Sequence, residues 1–230
     1  MVEHTVRAFE EELESLTAEL SRMGGLAEVE VGEAVRAIAR RDVAMAHRVI
    51  ERDARLDEAD AEIERRAIRL IALRQPVADD LRRTVAALKI SMNLERCGDL
   101  AKNIAKRALV IAESEPLPPL TRSIERMGEL VAGRLKDVLD AFAARDLDRA
   151  RSVWQRDQEV DEHYDSIFRE LLTYMMGDPR TIASCAHLLF VAKNLERIGD
   201  HATNIAEIIV YEITGEQLTD QRPKLDTLGR

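Results

Sequence analysis

The sequence predicts an all-α protein made of two tandem antiparallel three-helix bundles, and three observations carry that expectation. The first is a repeat. Asn93-Leu94-Glu95-Arg96-Cys97-Gly98-Asp99-Leu100-Ala101-Lys102-Asn103-Ile104-Ala105 returns 101 residues later as Asn194-Leu195-Glu196-Arg197-Ile198-Gly199-Asp200-His201-Ala202-Thr203-Asn204-Ile205-Ala206. The two copies differ at only three of thirteen positions, and a match at fixed period marks a tandem duplication. The second is composition: aromatic residues make up 3% of the chain, and 10 Gly and 6 Pro leave few turns for a sheet protein. Ala, Leu, Glu and Arg, all good helix formers, dominate. The third is periodicity, with apolar residues recurring at spacings of three and four over long stretches.

Each element follows from local signals. Val6, Phe9, Leu13, Leu16 and Leu20 mark one face of a helix over residues 5–40. Gly24-Gly25 interrupts the pattern, as a kink, a break or a close helix contact. Arg40-Arg41-Asp42 reads as a turn with Asp42 as N-cap. A helix then covers residues 43–73, and Gln75-Pro76 ends it because the residue before proline disfavours the helical region. A third helix over 79–113 carries the first signature. Glu115-Pro116-Leu117-Pro118-Pro119 is the linker between repeats. Beyond it the plan recurs: helices over 120–144, 147–176 and 180–213, with Arg145-Asp146 echoing Arg41-Asp42 and Gly177-Asp178-Pro179 echoing the first proline break. The expected division is a first repeat at 1–114, a linker at 115–119, a second repeat at 120–214 and a polar tail at 215–230.

Composition also excludes functions. The net charge of −9 argues against nucleic-acid binding, which needs clustered Lys and Arg. Cys97 and Cys185 lack zinc-site spacing and read as reduced thiols. Met1-Val2-Glu3-His4 does not open a signal peptide, and no apolar run approaches the ~18 residues of a membrane span. A cytoplasmic protein without direct membrane insertion is expected. Glu-x-x-His, Gly-rich phosphate loops and paired nucleophile–base motifs are missing from the sequence, so no catalytic residue and no enzyme activity is expected.

Chemistry concentrates in acids. Leu81, Val85, Leu88, Met92, Glu95 and Asp99 follow a heptad seam, with Asn103 a turn beyond. The second copy runs Ile182, Ala186, Leu189, Lys193, Glu196, Asp200 and Asn204. Asp53 and Asp57 in the preceding helix, and their counterparts Asp157 and Asp161, form further i, i+4 pairs. Like charges at that spacing repel unless a cation lies between them. Two antiparallel helices bearing such pairs would assemble four carboxylates per repeat, suited to Mg, Mn, Ca or Fe and less selectively to Zn. A solvated acidic face is the plain alternative, and interhelical salt bridges through Arg96 and Arg197 are another. Gly98 and Gly199 imply close approach of a neighbouring helix. His201 reads as a surface or bridging imidazole, Asp60 as an accessory acid, and Trp154, Tyr164 and Phe168 as core or dimer contacts.

Both Glu-Arg-x-Gly-Asp segments, together with Met23-Gly24-Gly25, Arg74-Gln75-Pro76, Asp80-Leu81-Arg82, Val138-Leu139-Asp140-Ala141-Phe142 and Leu172-Thr173-Tyr174-Met175-Met176, resemble the PhoU family of bacterial phosphate-uptake regulators. The resemblance spans nearly the whole chain. It implies the duplicated bundle fold and Glu/Asp-x-x-x-Asp metal motifs at Asp53, Asp57, Glu95 and Asp99 and at Asp157, Asp161, Glu196 and Asp200, with Asn103 and Asn204 in line. The ion would be Fe, Mn, Mg or Zn, of divalent or trivalent charge. It further implies a negative regulator of the phosphate-starvation response that couples the ATPase subunit of a phosphate ABC transporter to a sensor histidine kinase, commonly as a homodimer. Cys97 and Leu100 depart from the usual pattern, and Leu100 would make the two sites unequal. A metal-storage or metal-buffering helical protein, and an adaptor for another transport system whose acids make only salt bridges, are the competing expectations.

Overall fold

A computed structural model describes residues 2–218. Among these residues eight helices follow in chain order: α1 (Val2–Arg40), α2 (Val43–Arg52), α3 (Ala54–Arg74), α4 (Ala78–Glu113), α5 (Pro118–Ala144), α6 (Leu147–Gln155), α7 (Gln158–Gly177) and α8 (Ile182–Thr214), with a 3-10 turn at Pro179–Thr181 before α8. No strand occurs among the described residues. None of the described helices is long and apolar enough to cross a membrane.

The long helices α1, α4, α8 and α5 pack in a closed ring, each against the next. Helices α2 and α3 lie on α1 and α4, while α6 and α7 lie on α5 and α8. Each repeat is therefore a three-helix bundle whose outer helix is split in two, and the bundles join through their long helices into one continuous apolar core. The junction is pseudo-symmetric. A Cβ on Gly24 of α1 would collide with Leu139 of α5, and one on Gly128 would lie 2.6 Å from Val35 Cγ1. Helix α1 is continuous through Gly24-Gly25, so the pair marks a close contact and not a break.

The expected caps form. Asp42 accepts a hydrogen bond from the Met45 backbone N–H at 2.9 Å, and Asp146 accepts one from Arg149 at 3.0 Å. Two expectations need correction. The helices read over 43–73 and 147–176 are each split, at Asp53 and at Arg156-Asp157. At the first split the Leu56 N–H bonds to the Asp53 carbonyl three residues back, a tight turn that interrupts the helix at the buried Asp53. The heptad seam of the third helix is not its buried face either: Met92 is 61% exposed and Leu81 39%. The buried face carries Ile90, Leu94, Cys97, Ala101, Ile104 and Ala108 instead, because the ring and the outer helices crowd that side. The tail over 219–230 lies outside the described residues, and Leu218 packs against the core.

Candidate functional site

Where the kinked helix of each repeat meets the signature helix, a nearly buried aspartate lies at the contact, Asp53 in one copy and Asp157 in the other, each 4% exposed. Glycine makes this approach possible. A Cβ on Gly98 would collide with Leu56 and lie 3.4 Å from Asp53 Oδ1, and one on Gly199 would lie 3.2 Å from Val160 Cγ1.

In the first repeat the ammonium group of Lys102 donates to Asp53 Oδ2 and, at 3.0 Å, to Asp99 Oδ1. Lys102 thus bridges the kink to the signature. Arg96 pairs within its own helix, at 3.4 Å from both Glu95 and Asp99, so the interhelical bridge belongs to the lysine and not to Arg96. The acids respond to their surroundings. Burial, then repulsion from Asp53, raises the Asp57 carboxyl above its ordinary range. Burial raises Glu95 likewise, Arg96 opposing and Asp99 reinforcing the effect. Asp99 is also partly buried, but hydrogen bonding and charge from Lys102 outweigh that and hold it below the usual range.

Two residues that local sequence patterns missed complete the set. Glu30 of α1 is fully buried, and neither of its carboxylate oxygens meets a hydrogen-bond donor. Burial first, and Asp53 second, push its carboxyl up to about 7, with Arg52 partly opposing. Lys102 is the other. The signal that finds both is subtraction of one repeat from the other: the counterpart of Glu30 is Arg134, and that of Lys102 is Thr203.

The second repeat consequently balances its aspartate differently. Thr203, fully buried, donates its hydroxyl to Asp157 Oδ1 at 2.7 Å. Arg134, 2% exposed, reaches Glu159 at 3.3 Å and attracts Asp157 electrostatically, while its Nε and Nη1 find no acceptor. Burial lowers its pKa from the ordinary arginine range, against the hydrogen bond to Glu159. Lys193 lies 2.8 Å from Glu196 and 5.2 Å from the centre of the Tyr164 ring.

The residues expected as ligands are thus distributed unevenly. Asp53 and Asp99 come together around Lys102, with Asp57 and Glu95 electrostatically coupled to that group. Asn204 lies 3.5 Å from Asn93 across the α4–α8 contact, where His201 also bonds Asn93 at 2.9 Å, so His201 is a bridging imidazole. Asn103 lines an open groove with Lys106, Arg107, Phe190 and Asn194. Among the described residues no three Asp, Glu, His or Cys side chains converge into a group that could hold a metal ion. The donor chemistry of the first set suits a hard cation, yet the position between Asp53 and Asp99 belongs to an ammonium group. As folded, the first set does not fit a metal. Trp154 is 7% exposed and donates its indole N–H to Glu207 at 3.0 Å, a core role.

A duplicated helical bundle with one acidic set per repeat is the class these features define. A family model described as the PhoU domain matches residues 20–108 and 124–209, and the chain belongs to that family. It is 69% identical over the full length of both chains to a protein of Caulobacter vibrioides named phosphate-specific transport system accessory protein PhoU homolog. A homolog of the same name from Rhizobium meliloti is 52% identical, covering 98% of this chain and 97% of its own. The crystal structure of PhoU from Pseudomonas aeruginosa superposes with a TM-score of 0.88 at 40% identity, covering 90% of this chain and all of the other. That of the phosphate transport system regulatory protein PhoU from Streptococcus pneumoniae gives 0.85 at 31% identity, covering 92% and all.

Proposed function

We propose that the protein is an accessory regulator of phosphate transport that acts by docking and not by catalysis. The observation that carries this reading is end-to-end similarity, at 69% identity, to a protein bearing the accessory-protein name. In this reading it works in the cytoplasm as a homodimer. It binds the ATPase subunit of a phosphate ABC transporter and a sensor histidine kinase, and keeps phosphate-starvation genes off when phosphate is plentiful. Exposed apolar side chains at matching places on both repeats, Ile68 and Leu81 in one and Leu172 and Ile182 in the other, support a docking role. Metal uptake by Asp157, Asp161, Glu196 and Asp200 belongs to the same proposal, with Fe, Mn, Mg or Zn as the ion. It would require those carboxylates to draw together, and the regulatory role is assigned without it.

The test is phosphate-starvation reporter output in phosphate-rich medium, in a host lacking this gene. High output without the gene, returned to low by the wild-type chain, is the expected result. Unchanged output in a host with no second copy would overturn the reading. Complementation with Asp99→Ala plus Asp200→Ala, with expression checked, separates the contribution of the acids to signalling from their contribution to folding.

A further inference from the structure

The duplication supplies an internal control. Every acid of the kink and signature is retained between copies: Asp53 and Asp157, Asp57 and Asp161, Glu95 and Glu196, Asp99 and Asp200. What changes is the counter-charge. The first repeat meets its buried aspartate with a cation on the signature helix, Lys102. The second places a hydroxyl there, Thr203, and sets the cation that attracts Asp157 on α5, at Arg134, the signature-helix Lys193 pairing with Glu196 instead.

We infer that the ammonium group of Lys102 is the resident cation of the first acidic set and closes that set to divalent metal ions. The geometry is direct. Nζ donates to one oxygen of Asp53 and one of Asp99, on two different helices, which is the bridging task a metal would perform. A metal bound to those same oxygens would lie at roughly 2.0–2.6 Å from each. It would then stand against a protonated amine that has three donors and no lone pair to offer. The site is also poorly screened: the Asp53 side chain is 5% exposed and that of Lys102 24%. Glu30 adds a second reason for a built-in cation. Its unpaired carboxyl lies near enough to feel both Asp53 and Lys102, so without the lysine only Arg52 would offset the repulsion between two buried acids. A tethered cation cannot be lost by dilution or chelation. The first repeat would keep its kink locked under metal-free conditions, whatever the protein regulates.

The test uses the full-length chain, stripped of metal with EDTA and titrated with Mn2+, free Mn2+ being followed by electron paramagnetic resonance. Lys102→Met should take up one more Mn2+ per chain than wild type, and adding Asp99→Asn to that variant should abolish the extra ion. In the wild-type background Asp99→Asn should leave Mn2+ uptake unchanged. Loss of Mn2+ from wild type on introducing Asp99→Asn would overturn the inference, as would a Lys102→Met variant with wild-type uptake. Thermal unfolding guards against a variant that does not fold. Lys102→Met, or the milder Lys102→Thr that installs the residue of the second copy, should regain a cooperative transition on adding Mn2+. A variant that stays unfolded in Mn2+ counts against the role of Lys102 as a replaceable cation.

Discussion

Glu30→Gln gives the sharpest stability test, because Glu30 is fully buried with both carboxylate oxygens unpaired. In the unfolded chain its carboxyl ionises near 4.5, and in the folded protein near 7. Below the unfolded value the group is protonated in both states and costs nothing. As pH rises from there to about 7, the unfolded chain has released a proton that the folded state still holds, so stability falls across that window. Above the folded value the loss is complete. At ~1.4 kcal/mol per pH unit, the displacement corresponds to about 3 kcal/mol. Glutamine keeps the shape and removes the ionisation, and with it the repulsion from Asp53. Urea denaturation of wild type and variant, followed by circular dichroism from about pH 5 to about pH 8, reads the effect directly. The stability difference in favour of the glutamine variant should widen by about 2.5 kcal/mol over that range, the rest of the displacement lying below about pH 5. A difference that stays flat across the range would refute the buried, repelled carboxylate.

Further outcomes follow from packing and burial. Gly98→Ala should destabilise by ~1–2 kcal/mol in chemical denaturation, since the new methyl collides with Leu56 beside Asp53 and overpacking outweighs the gain in helix propensity. Gly199→Ala, facing Val160 at 3.2 Å, should be close to neutral. Cys97 and Cys185 are both free and buried, and burial pushes the Cys97 thiol up to about 12. Neither should react with an aromatic disulfide reagent until denaturant is added, when both should react. Asp42→Ala should cost ~1 kcal/mol by removing the side-chain acceptor of the Met45 N–H, measured as a lower denaturation midpoint.

Where sequence reasoning succeeded, the interactions were local. The Asp42 and Asp146 caps bond within three residues of themselves, and the apolar stripe of α1 repeats within each turn, so neighbouring residues suffice to read them. The duplication likewise lies in the chain itself, and with it the two-bundle plan. Gly98 was legible as a close approach because glycine in a helix interior lacks a local reason to be there. The acids of the candidate site were legible as spacing, but their partners were not. Lys102 meets Asp53 across 49 positions, and Glu30 reaches the same group from a third helix.

Thus the course of the long helices, the capped turns at Asp42 and Asp146, the repeat and the family resemblance were legible in the sequence alone, through short-range periodicity, capping and motif. Only the tertiary structure decided that the outer helices are interrupted at Asp53 and Asp157, that Met92 faces outward, and that one repeat answers its buried aspartate with a lysine and the other with a threonine and an arginine. The physical reason is the low polarity of a helical core. Inside it a charge must find its counter-charge across the packing interface, and which side chain arrives depends on how whole helices dock, not on any spacing within one of them.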